Sequence, residues 1–193
     1  MITHEVLSEK EETADQMVSE FVHHHFVSDG ATEIMIFVTY FASKQFLIIA
    51  FLLLALWSII YKKDKRLAIE TLLIGITGYL INATLKETFK RVRPADPLID
   101  PLRNFSYPSG HASSGIIFYG FLVYLIWQSD INKPAKYIFS ILLVAFSLLI
   151  GFSRIYLGMH YASDVVAGFC IGFAWLVIFL WIVNSLRKKS CVS

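Results

Sequence analysis

Cysteine is nearly missing: the 193 residues hold only Cys170 and Cys191. One sits inside an apolar run and the other in the tail, too far apart in depth to bridge, so no disulfide framework is implied. Net charge is small, at +2, which gives no ground for a nucleic-acid partner. The apolar runs show no alternation of period two, which argues against a membrane β-barrel. No cluster of carboxylates is placed to hold a divalent cation. The first residues are acidic and carry no early apolar core, so no cleavable leader is expected. Internal repeats and low-complexity tracts are absent.

What the chain has in abundance is apolar surface. Hydrophobic residues make up 56% and aromatics 15%, a composition of integral membrane proteins rather than water-soluble domains. Five stretches approach the ~20 residues that a helix needs to cross a bilayer. They run over Gln45–Tyr61, Leu67–Leu85, Ala112–Gln128, Tyr137–Phe152 and Val165–Leu186. The first and fourth are short, which predicts packing with little tilt, or recessed ends. The expected fold is all-α: a polytopic membrane bundle of about five transmembrane helices plus an N-terminal amphipathic interfacial helix. The expected division is 1–30 for the polar N-terminus and that helix, 31–186 for the membrane-embedded unit, and 187–193 for a basic tail.

Orientation follows from the loop cations. Nine lysines and arginines fall on the side of loops 62–66 and 129–136 and the tail, and eight on the other. Lys86, Arg93 and Arg154 belong to motifs discussed below, and setting them aside leaves nine against five. The nine-cation side is therefore expected in the cytoplasm, with the motifs outside it, as in a bacterial plasma-membrane protein.

Residues 1–12 are polar and are expected to be poorly ordered. Ala14, Met17, Val18, Phe21, Val22, His25 and Phe26 then recur at helical spacing, with Asp15, Gln16, Ser19, Glu20, His23 and His24 on the opposite arc. This predicts a helix lying along the bilayer surface or against the bundle, ended by Ser28-Asp29-Gly30. Consecutive helical residues diverge by about 100°, so His23-His24-His25 cannot converge on one metal ion. A further helix is expected at Ile34–Phe41, leading into the first span. Gly168 and Gly172 form a small-xxx-small pair that predicts close helix contact. Prolines 94, 97, 101 and 108 keep the segment between them from being helical throughout.

Three short motifs carry the chemistry: Lys86-(six residues)-Arg93-Pro94, Pro108-Ser109-Gly110-His111, and Ser153-Arg154-(five residues)-His160-(three residues)-Asp164. They fall at the end of the second span, the start of the third and the turn between the fourth and fifth. Helices that alternate in direction bring those three points to one membrane face. A phosphoryl group in transfer carries negative charge on its equatorial oxygens, and stabilising that charge is most of the catalytic problem. Arg93 and Arg154 offer bidentate forks and Lys86 a point charge. If the helix ran on from Lys86 to Arg93, both cations would share a stripe. Ser109 and the N–H groups at Gly110 and His111 would open a helix, where anions bind, and Gly110 permits close approach. His160 and Asp164, four apart, would share a helical face, so the carboxylate could fix the imidazole tautomer. The other ring nitrogen is then free as a nucleophile, and His111 is the candidate acid and base. Lys90, Arg91 and Arg103 are read as headgroup anchors.

Taken together, the motifs resemble the signature of the type 2 phosphatidic acid phosphatase family, the membrane lipid phosphate phosphatases related to the vanadium haloperoxidases. The resemblance covers roughly Leu67–Leu186. It implies a helical bundle with a metal-independent, cofactor-free phosphatase site at the outer membrane face. His160 would be the phosphohistidine nucleophile, Asp164 its partner and His111 the acid and base, with Lys86, Arg93, Ser109, Gly110 and Arg154 holding phosphate. Bacterial members similar in size act on phosphatidylglycerol phosphate, phosphatidate or undecaprenyl pyrophosphate. Members usually carry six spans, one of them ahead of the amphipathic segment, where this sequence shows none. Two other activities fit the same parts, a lipid phosphotransferase using the same intermediate and a non-catalytic binder of anionic lipid.

Overall fold

In a computed structural model the chain is all-helical, and the structure describes residues 2–100 and 104–190. Seven helices follow one another: α1 (Ile2–Phe26), α2 (Asp29–Tyr40), α3 (Lys44–Ile60), α4 (Lys65–Phe89), α5 (Gly110–Trp127), α6 (Lys133–Tyr156) and α7 (Ala162–Ser190). Four of them, α4 to α7, are long and apolar enough to cross a membrane. The span predicted at 45–61 is the 17-residue α3. It passes the same test only together with α2, from which it bends by 43°. The molecule is thus an integral membrane bundle of four or five spans.

Local chemistry sets the helix ends. The Asp64 side chain accepts from Leu67 N at 2.9 Å to start α4, and Asn132 accepts from Ala135 N at 2.9 Å to start α6, each satisfying an amide with no partner inside its helix. Lys90 closes α4 in the left-handed region, at φ 48°. That turn redirects the chain, so Arg93 lies beyond the helix and the single helical stripe with Lys86 does not form.

Helix α5 is central and packs against α4, α6 and α7. A Cβ built on Gly168 would lie 2.6 Å from Ser109 O, and one on Gly172 2.6 Å from Ser113 O. The missing side chains are what let α7 approach α5 so closely, the contact expected of this pair. Leu67, Ile74, Ile117, Phe121, Leu176 and Phe179 fill the space among α4, α5 and α7. The outward faces stay apolar: Ile141 is 65% exposed and Trp181 70%, which fits a lipid surround and not water.

The N-terminal region departs from expectation in three ways. Helix α1 begins at Ile2, so residues 2–12 are helical. Asp29 and Gly30 open α2, with Ser28 at its N-cap position, where an acidic first turn suits the helix dipole. Most consequentially, Asp15 does not lie on a solvated arc. It is 3% exposed and faces the bundle with Val22, while Met17, Val18 and Phe21 point outward.

Candidate active site

Residues from all three motifs meet at one end of the bundle. His160 lies in the turn between α6 and α7, just ahead of the helix that carries Asp164. Gly158 makes this turn possible: its φ is +64°, and a Cβ there would lie 2.9 Å from Asp96 O of the proline-rich segment. Leu98 N donates to Leu157 O at 3.0 Å, which ties that segment down beside the turn. Residues 96–98 of that segment are therefore packed against the turn that carries His160.

The His160 ring is buried and held at both nitrogens. Arg93 Nη1 lies 3.2 Å from Nε2. A guanidinium can only donate, so Nε2 is the acceptor and the proton sits on Nδ1. On that side Nδ1 is 3.2 Å from Ser106 Oγ, and Ser106 donates to Asp164 Oδ2 at 2.5 Å. The direct Nδ1–Oδ2 separation is 3.5 Å, so the seryl hydroxyl carries the contact expected to run straight to the carboxylate. Burial pushes the His160 pKa down to about 3, opposed by the nearby Asp164 carboxylate and helped by Arg93, Arg154 and Lys86. The resting ring is neutral, with a lone pair on Nε2.

The cations are arranged around this ring. Lys86 Nζ donates to Phe105 O at 2.7 Å and Ser106 O at 2.9 Å. Arg93 Nη2 donates to the same Phe105 O at 3.2 Å, and its Nη1 to Met159 O at 2.6 Å. A folded-back loop, rather than a helical stripe, brings the two cations together. Burial lowers the Arg93 pKa. Arg154 is 2% exposed; its Nη1 donates to Thr39 Oγ1 of α2 at 2.8 Å, and its Nε has no partner. None of the three has a carboxylate within ion-pair distance among the described residues. Lys86 and Arg154 are buried and Arg93 half-buried; cations withdrawn from water without counter-ions are costly, and an oxyanion would satisfy them.

The second motif supplies the start of α5. Ser109 is buried, its hydroxyl accepts from Ala112 N at 3.5 Å as the N-cap, and its own N–H donates to Asp164 O at 2.9 Å. Gly110 leaves room, with Asn82 Oδ1 3.3 Å from where its Cβ would stand. His111, in the first turn, lies within electrostatic reach of Arg154, His160, Arg93 and Lys86.

Three participants had no separate signal in the sequence. Ser106 is one serine among several in a polar loop. Asp15 reads as one acid in a polar arc. Arg91, taken for a headgroup anchor, is nothing of the kind: its Nη1 donates to Asp164 Oδ1 at 2.8 Å and Ser163 Oγ at 2.6 Å, and its Nη2 to Asp15 Oδ2 at 2.6 Å. Burial opposes its charge, yet those carboxylates raise its pKa on balance. Arg103 lies outside the described residues.

The fold and site define a membrane-embedded helical bundle with a cation-rich, histidine-containing cluster at one end. Residues 67–188 match the PAP2 superfamily model, and the chain belongs to that superfamily of membrane lipid phosphate phosphatases. It is 31% identical over 159 residues to phosphatidylglycerophosphatase B of Bacillus subtilis, covering 81% of this chain and 75% of that one. It is 30% identical over 190 residues to undecaprenyl-diphosphatase BcrC of the same organism, covering 86% and 90%. A crystal structure of a transmembrane PAP2 type phosphatidylglycerolphosphate phosphatase from Bacillus subtilis superposes with a TM-score of 0.82 at 26% identity, over 90% of this chain and 86% of the other.

Proposed function

We propose that this phosphatase removes a phosphate monoester or pyrophosphate from a lipid through a covalent phosphohistidine on His160. Candidate substrates are phosphatidylglycerol phosphate, phosphatidate and undecaprenyl pyrophosphate; the first and last are named in its two Bacillus relatives. The observation that carries the reading is the His160 ring. Its unprotonated Nε2 faces the cation cluster, and its Nδ1 is backed by Ser106 and Asp164.

In the first step the Nε2 lone pair forms a bond to phosphorus while the ester bond breaks. The leaving oxygen takes its proton from His111. Lys86, Arg93 and Arg154 bear the charge on the equatorial oxygens, and Ser109 and Gly110 hold the phosphate at the start of α5. In the second step His111 takes a proton from water, whose oxygen attacks phosphorus. The P–N bond breaks, free phosphate leaves, and His160 returns neutral. Three protein cations take the role that a metal ion fills elsewhere, so turnover should persist in excess chelator. By the loop-cation count the site faces away from the cytoplasm.

The test is phosphate release by the full chain in lipid vesicles from those three lipids and from a soluble monoester. His160→Ala should abolish release while the protein stays folded, and vanadate should inhibit as a phosphate mimic. Normal turnover by the His160 variant overturns the proposal. A turnover product in which phosphate has moved to an alcohol, with none freed, would assign a phosphotransferase instead.

A further inference from the structure

The residue ahead of Ala162, where helix α7 starts, is the aromatic Tyr161, not one of the short polar residues that usually cap a helix. The early N–H groups of α7 have no partner within the helix and favour an anion. Asp15 supplies one from α1, 148 positions away: Oδ1 accepts from Ser163 N at 2.9 Å and Oδ2 from Ser163 Oγ at 2.5 Å. The same Oδ2 accepts from Arg91 Nη2 at 2.6 Å. Arg91 in turn lies over the Tyr161 ring, 4.3 Å from its centroid, and donates to Asp164 Oδ1.

The Asp164 carboxylate is thus held at both oxygens. Oδ2 takes Ser106 Oγ and Tyr161 N, at 2.5 Å and 3.0 Å, and Oδ1 takes Arg91. With only the Oδ2 side the carboxylate could turn about its Cβ–Cγ bond, and Ser106 and His160 would turn with it. An arginine alone would fix it but leave a positive charge against the group that must favour the histidine N–H. Asp15 balances that charge while holding the arginine in place.

We infer that Asp15 and Arg91 are positioning residues for the His160 nucleophile: α1, clamped through Asp15 and Arg91, locks the Asp164 carboxylate in the orientation that aims Nε2. The inference rests on the proposed phosphohistidine reading. Among the described residues their side-chain contacts are with each other and with Tyr161, Ser163 and Asp164, so they act on the rate of attack and not on binding.

The experiment uses the purified full chain and whichever of the four substrates wild type turns over fastest. Arg91→Ala should lower kcat about 10- to 100-fold, the usual cost of losing an orienting partner, and Asp15→Asn should lower it less, by roughly 3- to 10-fold on the same reasoning. KM and vanadate inhibition should stay within about twofold, because the cradle is intact. The double variant should be no slower than Arg91→Ala alone, since both act through one contact. Arg91→Lys, which keeps charge without the fork, should recover only part of the rate, and it serves if Arg91→Ala does not fold. Unchanged kcat, multiplicative losses, or a rise in KM matched by weaker vanadate inhibition each overturn the inference. His160→Ala measured alongside separates the two readings: if it retains turnover the phosphohistidine fails, and if it alone is dead only the clamp fails.

Discussion

Two arginine–carboxylate networks sit at opposite ends of this bundle. At one end, Glu70 of α4 is held by Arg66, at 3.0 Å, and by Arg187 of α7. At the other, Asp164 is held by Arg91, which is itself tied to Asp15. Both bury a carboxylate and both staple the bundle's helices, so neither marks chemistry by itself. The difference lies in what stands beside them. The Glu70 network is a closed pair of contacts at a rim where Arg66 is 42% exposed and Arg187 35%. Beside the Asp164 network, Lys86 and Arg154 are buried and Arg93 is half-buried, and none of the three has a carboxylate partner among the described residues. Unmatched buried charge, rather than the number of ion pairs, distinguishes the working end.

The sharpest way to break that contrast is to remove an unmatched cation. Arg154→Met should lower kcat/KM by about 10²- to 10³-fold, the cost of losing one preorganised charge stabiliser. Its melting temperature should hold or rise, because a buried charge with an unpartnered Nε is replaced by apolar volume. Activity assays and thermal unfolding in the same detergent check both halves. A large drop in melting temperature would make Arg154 a structural residue. Next in size is Gly168→Ala, whose Cβ would meet Ser109 O at 2.6 Å. The clash is with backbone, so α5 and α7 must separate, at about 1–3 kcal/mol and with a fall in turnover. For Gly78→Ala the one close approach is to the Ile117 Cδ1 tip at 2.6 Å, with Trp175 Cδ1 at an ordinary 3.6 Å; the tip can swing away, and the change should cost less on both counts.

How much of this was legible beforehand divides along the same line. The spans, the motif order and the meeting of the motifs at one end follow from apolar run lengths and alternating helix direction. Those signals survive in one dimension. What supports the histidine does not. Ser106 takes its place because a proline-rich loop folds back under Lys86 and Arg93, and no local pattern encodes that path. Asp15 and Arg91 depend on a docking of α1 against the start of α7. A polar residue on an amphipathic helix looks the same in sequence whether it meets water or a buried partner. The stripe expected for Lys86 and Arg93 failed because Lys90 enters the left-handed region, which is unusual for a residue with a side chain.

The depressed His160 pKa gives a pH test of the working end. Lys86 from α4, Arg93 and Ser106 from the loop, His111 from α5, Arg154 from α6 and Asp164 from α7 surround the ring. Folded His160 stays neutral down to about pH 3, whereas in the unfolded chain it protonates near 6.5. Between those values the unfolded state binds the extra proton, so stability rises with pH there, is fully present above about 6.5, and is lost as pH falls. Wild type should therefore lose more melting temperature between about pH 7, above the window, and about pH 4.5, inside it, than His160→Gln does. Other titrating groups contribute to both proteins and cancel in the difference. Equal slopes would place the ring in a solvated site.

Breaking the other network should do least. Glu70→Gln removes the charge shared by Arg66 and Arg187, but both arginines reach solvent, and such pairs contribute about 0–1 kcal/mol. For a chain of this size that is a shift of roughly 2–4 °C at most. Glu70 also precedes Lys86 on α4 by 16 positions, about 24 Å along a helix, several screening lengths from the phosphate pocket at ordinary salt. Turnover should stay within about twofold of wild type. A kcat loss comparable to that of Arg91→Ala would mean that α4 and α7 transmit strain along their whole length, and the two ends would then be one mechanical unit rather than a staple and a site.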